Sequence, residues 1–191
     1  SLLGMDADPQ ALEITRQRLE RYSPAATLIN DNFRHLEDIC RRQGFYPVDG
    51  VLLDLGMSSL QLDNSDRGFS FRFDAPLDMR FSPDQPTTAA RLLNTLTEKD
   101  IATLLRDYGE ERRSRLIAQR IVSRRPVNTT GELVDIIEHI PGISTGRIHP
   151  ATRTFQALRI AVNRELESLQ EVLNQAIRVL GKGGRMVVIS Y

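Results

Sequence analysis

The sequence predicts an α/β domain with a parallel-sheet core that is interrupted by a helical insertion. Short apolar runs at residues 1–5, 27–29 and 51–55 alternate with segments of helical periodicity, a succession that parallel strands joined by helices produce. Another apolar run at 186–189 follows a long helical stretch from 150 to 180. The chain therefore returns to the sheet at its end, and the helical residues 87–140 are inserted within one α/β domain.

The central strand is predicted at Val51–Leu55, where an apolar run ends in Asp54 and then in Gly56, Ser58 and Ser59. The run lacks hydrophobic alternation, which predicts a strand covered on both faces. Ligands of open α/β sheets lie beyond the carboxyl ends of the strands. We therefore expect Asp54 and the two serines to line a ligand site; the alternative is that Asp54 only caps the following turn.

The first strand ends at Asp6, and Asp8 with Pro9 marks the start of a helix. Asp8 is placed to cap that helix, and proline is favoured in its first turn. A carboxylate at a strand's carboxyl end can accept hydrogen bonds from both hydroxyls of a ribose. Asp6 is thus a candidate for a nucleotide-like cofactor, although many acids in such positions serve only turns.

After the second strand, at residues 27–29, Phe33 and Cys40 share one face of a predicted helix that ends at Gly44. This position favours Cys40 as a core residue over a nucleophile. Phe33 has two interpretations, because it can pack in the core or lie over an adenine ring at the mouth of the sheet.

Residues 62–86 lack periodicity, and loops of this length inside compact chains are often functional. Arginines alternate with phenylalanines here, an arrangement that can stack an unpaired base and hold its phosphates. The candidate RNA contacts are Arg67, Phe69, Arg72 and Arg80. The alternative is a hairpin in which Phe69, Phe71 and Phe73 pack inward with a period of two.

The inserted segment contains capping-box spacings at Thr97 and Thr129 and a stop signal at Gly109. In a helix from 110 to 124, arginines fall opposite an apolar face. This basic stripe, which would suit a polyanion, comprises Arg112, Arg113, Arg120 and Arg124. A solvated helix face is the alternative explanation.

Composition excludes several classes of protein. The 191 residues carry no formal net charge, so an attraction to nucleic acid must come from local patches. One cysteine excludes an internal disulfide framework, and three scattered histidines make a metal site an unattractive hypothesis. No apolar run approaches the ~20 residues of a membrane span. A single cysteine also fits a reducing compartment.

Several motifs, in this order, resemble the MraW/RsmH family of small-subunit ribosomal RNA cytosine-N4 methyltransferases. They are Gly4–Pro9, Asp49–Asp63, Arg67–Ser70, Pro76–Arg80, Tyr108–Glu111 and His149–Ala157. The resemblance runs essentially from end to end. It implies a Rossmann-like class I methyltransferase that uses S-adenosylmethionine. It also implies a bacterial cytoplasmic protein, and an organellar homologue would look similar.

The same resemblance implies roles for single residues. Asp6 matches the acid on the cofactor ribose and Phe33 the residue beside adenine, while Asp54 and Gln61 match contacts near the methionine end. The implied cofactor-binding domain comprises residues 1–62 and 150–191, and residues 63–149 form a loop and helical domain for RNA recognition. The implied substrate is a decoding-region cytosine, in 16S RNA or in the assembled small subunit, and a homodimer is compatible.

The chain also departs from the family pattern. The family's glycine-rich loop belongs before Ser1, and its His-Ser-Leu-Glu-Asp segment belongs after the last strand. We therefore expect a fragment that binds the cofactor poorly. Methylation at cytosine C5 would need a cysteine nucleophile at the pocket, and the predicted core position of Cys40 argues against that reaction. A nicotinamide-dependent dehydrogenase and a non-catalytic RNA-binding protein are the alternatives from other classes.

Overall fold

The computed structural model describes residues 1–143 and 148–190. The chain forms two compact units: Ser1–Met57 together with the segment that begins at Glu165, and Ser58–Arg164. The boundaries predicted for the domains, after 62 and after 149, differ from these. The assignment of one domain to the cofactor and the other to RNA stays a prediction.

The elements are as follows in chain order. The first segment contains β1 (Leu2–Asp6), α1 (Pro9–Leu19), β2 (Ala26–Asn30), α2 (Leu36–Arg42) and β3 (Val48–Asp54). The second unit contains α3 (Ser59–Asp63), α4 (Ala89–Thr95), α5 (Glu98–Gly109), α6 (Ser114–Ser123), α7 (Thr130–Glu138) and α8 (Thr152–Asn163). The last segment contains α9 (Glu165–Val179) and β4 (Leu180–Ile189).

All strand pairs of the described residues are parallel, which confirms the predicted α/β class. β1 pairs with β2 from Leu2 opposite Ala26 to Asp6 opposite Asn30. β3 pairs with β4, and Asp54 lies opposite Ile189. The strands form two two-stranded sheets rather than the single sheet that the sequence led us to expect. Apolar runs identify strands but do not specify which strands become neighbours.

The core of the α/β unit lies on one face of β3. Val51 and Leu53 belong to one buried cluster, to which α2 contributes Leu36 and Cys40 and α9 contributes Val172, Ala176 and Val179. Leu52, on the opposite face of β3, is 64% exposed. The expectation that both faces are covered was therefore wrong, because α9 covers one face and the hydrophobicity of a run does not reveal how many layers cover it.

Local signals fixed the start of α1 as predicted. Asp8 is fully buried and accepts a hydrogen bond from the N–H of Gln10 at 3.0 Å, and Pro9 is the first helical residue. Cys40 is also buried in α2, and burial raises the pKa of its thiol. Both findings support the interpretation of Cys40 as a core residue.

The second unit contains the predicted helix caps. The Thr129 hydroxyl accepts a hydrogen bond from the N–H of Glu132 at 3.2 Å, and the Glu132 carboxylate accepts one from the Thr129 N–H. The predicted long helix of residues 150–180 is broken, because Arg164 adopts φ of 50° between α8 and α9. Helical periodicity continues across this residue, so the pattern does not reveal the break.

In the described ranges, no helix is long and apolar enough to cross a membrane.

The predicted end of the helix at Gly109 is confirmed, because α5 ends at this residue, and the glycine also has a packing role. The left-handed residue that ends α5 is Glu110, with φ of 50°. A Cβ on Gly109 would lie 2.5 Å from the backbone oxygen of Arg153 in α8. The glycine therefore permits the close approach of two helices.

Substitution of Gly109 by alanine should destabilise the protein. The added methyl group cannot fit unless α8 shifts, and overpacking of this kind costs about 1–3 kcal/mol. Thermal and urea unfolding of Gly109→Ala would measure the loss. Gly50→Ala is the control, because its added Cβ would meet its nearest neighbour at an ordinary 3.6 Å. Equal stability of both variants would contradict the packing explanation.

Candidate functional site

Asp6 lies at the exposed carboxyl end of β1, where the sequence predicts a ribose contact. Its Oδ1 accepts a hydrogen bond from the Asp8 N–H at 2.8 Å. Its backbone oxygen accepts from the Asn30 side chain at 2.9 Å and from the Asp31 N–H at 3.1 Å. These bonds join the ends of β1 and β2 into one edge.

The segment after β2 is equally ordered. Asn32 accepts from the N–H of Arg34 at 2.9 Å and so caps a single turn of 3-10 helix, Phe33–His35. The His35 Nδ1 lies 2.8 Å from a carboxylate oxygen of Asp31, while its Nε2 lies 3.2 Å from the Nε of Arg34. A carboxylate accepts and a guanidinium donates, so the ring bridges Asp31 and Arg34 with Nδ1 towards the acceptor and Nε2 towards the donor.

Phe33 is half-buried at the start of this turn and packs against the core cluster of the α/β unit. The strand register places Asn30 opposite Asp6, so an exposed carboxylate and a partly exposed ring follow two adjacent strand ends. Hydroxyl groups suit the carboxylate, and a planar ring suits the phenyl group. An acceptor for hydroxyl groups beside an aromatic ring therefore fits a nucleoside.

Asp54 ends β3 and is exposed, as the sequence predicts for a residue that faces a ligand. Within the described ranges its carboxylate has no hydrogen-bond or ion-pair partner. Gly56 follows with φ of 119°, a conformation that favours glycine. The structure thus offers no capping bond for Asp54, which was the alternative.

Ser58 and Gln61 have a structural task of their own at the start of α3. The Ser58 hydroxyl accepts from the Gln61 N–H at 3.3 Å, and the Gln61 Oε1 accepts from the Ser58 N–H at 3.0 Å. This capping box was not anticipated. Ser59 is exposed in the first turn of α3. The roles of Ser58, Ser59 and Gln61 towards substrate and cofactor stay predictions.

Residues 67–85 form an ordered loop that is built on two arginines. The Arg80 guanidinium binds both carboxylate oxygens of Asp78, at 2.7 and 2.8 Å, and also donates to the backbone oxygen of Gln85 at 2.7 Å. Arg67 donates to the backbone oxygens of Arg80 and Phe81 at 2.7 and 2.8 Å. Both arginines were predicted RNA contacts, and here they hold the loop together.

Asn163, at the end of α8, anchors the same loop. Its Oδ1 accepts from the Phe81 N–H and its Nδ2 donates to the Met79 oxygen, each at 2.8 Å. Met79 is fully buried with φ of 62°. Gly68 lies so close that a Cβ there would stand 2.3 Å from the oxygen of Pro76. Sequence inspection missed these contacts because the residues involved are far apart in the chain.

The phenylalanines of the loop have different environments. Phe69 is only 5% exposed and stacks on Phe81 with a centroid distance of 5.5 Å. Phe71 stacks on the His149 ring at 4.4 Å. Phe73 is 51% exposed, and its neighbour Arg72 is also exposed. Burial makes Phe69 a core residue instead of a base-stacking one, and Phe73 is the exposed aromatic ring that the prediction overlooked.

The predicted basic stripe is shorter than expected, because α6 begins only at Ser114. Arg112 and Arg113 therefore precede the helix, and Arg113 donates to the Pro141 oxygen at 3.2 Å. Arg124 lies 3.5 Å from an oxygen of Asp135. Arg112 and Arg120 are exposed and have no partner in the part of the chain that the structure describes.

Arg115 is an exposed residue of α6 that the sequence pattern did not select. The buried positions of this helix are confirmed: Ile117, Ala118 and Ile121 are inaccessible to solvent. A helical wheel centred on these positions would have identified Arg115 as solvent-facing. Among the described residues, the exposed arginines of this region whose side chains have no hydrogen-bond or ion-pair partner are thus Arg112, Arg115 and Arg120.

The Asp78–Arg80 pair should make the stability of the loop dependent on pH. Partial burial raises the pKa of the Asp78 carboxyl, but hydrogen bonds from Arg80, with the charges of Arg80 and Arg67, lower it more. The net pKa lies below its ordinary value. The stabilisation is therefore present above about pH 4, the unfolded pKa, and is lost as pH falls through the folded pKa.

We expect Asp78→Asn to lower the free energy of unfolding by about 2 kcal/mol at pH 7, and by less at pH 3, which lies below the unfolded pKa of the carboxyl. Urea unfolding at both pH values measures this difference. The exposed Asp38, paired with Arg42, provides the control Asp38→Asn, which should have a small effect. A pH-independent loss in Asp78→Asn would contradict the electrostatic explanation.

The described geometry can be compared with known proteins. Three bacterial proteins named ribosomal RNA small subunit methyltransferase H are similar over this entire chain. Identity is 54% over 190 residues for Dehalococcoides mccartyi, 50% over 193 for a Mycobacterium species and 51% over 195 for Geotalea daltonii. The chain covers 54%, 52% and 62% of these proteins, respectively.

The chain thus spans about half the length of these curated relatives from Dehalococcoides and Mycobacterium. A family model described as the MraW methylase family matches residues 1–191. This match includes both the strand ends with Asp6 and Asp54 and the ordered loop. The chain belongs to the MraW methylase family.

Proposed function

We propose that this chain takes part in S-adenosylmethionine-dependent N4-methylation of a cytosine in the decoding region of small-subunit ribosomal RNA. The observation that carries the proposal is the pairing of β1 with β2, which brings the exposed Asp6 carboxylate next to the segment with Phe33. Membership of the MraW methylase family supports a methyl donor. The names of the relatives support ribosomal RNA as the substrate.

The proposed cofactor contacts divide by chemistry. Asp6 would accept hydrogen bonds from the ribose hydroxyls, and Phe33 would lie against the adenine ring. Asp54 and Gln61 would contact the methionine end. When bound, S-adenosylmethionine supplies a methyl group that is already activated for transfer.

The protein's own contribution to transfer would be alignment and proton acceptance. The N4 lone pair of cytosine is delocalised into the ring, so an acceptor facing its N–H would localise the pair and stabilise developing charge. Asp54, exposed at the end of β3, is our candidate acceptor, together with the backbone oxygens of Leu55 and Gly56. Ser58 and Ser59 would orient the base in line with the methyl group.

We propose that RNA contacts the exposed cations of the second unit. Arg72, Arg112, Arg115 and Arg120 are exposed, and Phe73 offers a ring for stacking on an unpaired base. Arg67, Phe69 and Arg80 would support this surface from within, since internal contacts occupy them. Arg113 and Arg124 would also contribute positive charge, since each has one long internal contact, to the Pro141 oxygen at 3.2 Å and to Asp135 at 3.5 Å.

The cofactor proposal predicts weak but site-specific binding of S-adenosylmethionine to this chain. In an NMR titration, amide shifts should concentrate at residues 6–8 and 30–35. Asp6→Asn should lower the affinity at least about tenfold, because a hydrogen bond to a charged group is lost. The exposed Asp38→Asn is the matched control. Equal binding of NAD, or shifts confined to other residues, would contradict the proposal.

The RNA proposal predicts a change in salt dependence. Each phosphate contact to single-stranded RNA contributes about 0.7 to the slope of log affinity against log salt. A double variant, Arg112→Ala with Arg120→Ala, should therefore reduce the slope by about 1.4. Fluorescence anisotropy with a single-stranded small-subunit RNA oligonucleotide measures it. Arg16→Ala, which removes a surface ion pair with Glu13, is the control; an equal change there would refute the assignment.

A further inference from the structure

Gln175 of α9 binds the backbone of a segment about 140 residues earlier in the chain. Its Oε1 accepts from the Glu37 N–H at 2.9 Å, and its Nε2 donates to the Arg34 oxygen at 2.5 Å. An N–H can only donate and a carbonyl can only accept, so one orientation of the amide satisfies both bonds. The side chain thus forms a specific bridge.

This bridge replaces a missing helix cap. Glu37 is the second residue of α2, whose first N–H groups have no partners within the helix. His35 occupies the N-cap position but makes no capping bond with its side chain. Gln175 supplies the acceptor from outside, so the position of the α2 start depends on α9.

Together with Asn32, the bridge holds both ends of the turn that carries Phe33. Asn32 holds the turn from its N-terminal side, through the Arg34 N–H. Gln175 holds it from the other side, through the Arg34 oxygen and the Glu37 N–H. The Phe33 ring packs against the core cluster to which α9 contributes Val172 and Ala176. One helix therefore fixes both the backbone and the ring.

Neighbouring charges reinforce the arrangement without duplicating it. Arg178 donates to a carboxylate oxygen of Glu37 at 2.6 Å, and Arg41 approaches the other at 3.0 Å. These bonds hold the Glu37 side chain, whereas Gln175 holds its backbone. Loss of the amide would release the turn while the ion pairs and the apolar face of α9 remain.

We propose that Gln175 is a positioning residue that sets the place of Phe33 for adenine binding. This inference rests on the proposed function, because it requires Phe33 to contact adenine. Gln175 does not itself touch the ligand and acts through the backbone of residues 34 and 37. Its loss should therefore weaken nucleoside binding without unfolding the α/β unit.

Two substitutions distinguish the contributions of the two Gln175 hydrogen bonds. Gln175→Met is of similar length and makes neither bond, whereas Gln175→Glu keeps the acceptor for Glu37 and loses the donor to Arg34. Asn174→Ala is the control on the same helix, since Asn174 is exposed and its side chain makes one long hydrogen bond within the described residues, to the Gln170 oxygen at 3.5 Å. Each chain is titrated with adenosine by NMR, with the Phe33 ring resonances and the Glu37 amide exchange rate as further readouts.

We expect amide exchange at Glu37 to be about fivefold faster in Gln175→Met and unchanged in Gln175→Glu, because one neutral hydrogen bond separates them. Adenosine affinity should fall at least threefold in both variants and stay constant in Asn174→Ala. The shift of the Phe33 ring on adenosine addition should shrink in parallel. A purely structural role would leave this ring shift, per bound adenosine, unchanged.

The outcomes distinguish the inference from the proposed function. If Asp6→Asn lowers adenosine affinity but neither Gln175 variant does, the positioning role is overturned and the proposed function stands. If the unsubstituted chain shows no adenosine-induced shift at Phe33, both are overturned. Should Gln175→Met lose its fold by circular dichroism, the decision rests on Gln175→Glu, whose affinity must fall for the inference to hold.

Discussion

The α/β unit depends on the burial of one face of β3 under helix α9. Parallel strands cannot be joined by tight turns, so they need helices to connect and cover them. The apolar side of α9 shares one buried cluster with Val51 and Leu53 of β3 and with α2. On the polar side of α9, Gln175 accepts a hydrogen bond from the Glu37 N–H, which has no partner within the first turn of α2. A helix from the end of the chain thus fixes the strand that ends in Asp54 and the turn that carries Phe33.

Arginine has two different roles in this protein, and the sequence does not separate them. In the loop of residues 67–85, guanidinium groups satisfy backbone oxygens that no strand or helix would satisfy, as Arg67 and Arg80 do. The fork of donors on a planar guanidinium suits this task better than a lysine ammonium group. Elsewhere, as at Arg120, the same side chain faces solvent. The exposed side chains of this second group are the ones that we propose for contacts with phosphate.

The alternation of Arg and Phe between residues 67 and 73 illustrates why the sequence could not predict which side chains of the loop are buried. Two interpretations were open, a base-stacking surface and an inward-facing hairpin. The structure contains no hairpin in these residues, yet it buries Phe69 and leaves Phe73 at 51% exposure. Burial was decided by Phe81, which stacks on Phe69, and by Asn163, which holds the Phe81 backbone. These partners lie 12 and 94 positions away from Phe69 in the sequence.

The sequence by itself determined the local features: the capped start of α1, the capping box at Thr129, the buried Cys40 and the polar residues that end β1 and β3. Such features depend on neighbours within a few residues, so composition and spacing reveal them. The tertiary structure alone decided the pairing of strands into two sheets, the break at Arg164 and the internal use of Arg67, Arg80 and Gln175. These depend on contacts between distant segments, which become favourable only when the packed core brings those segments together.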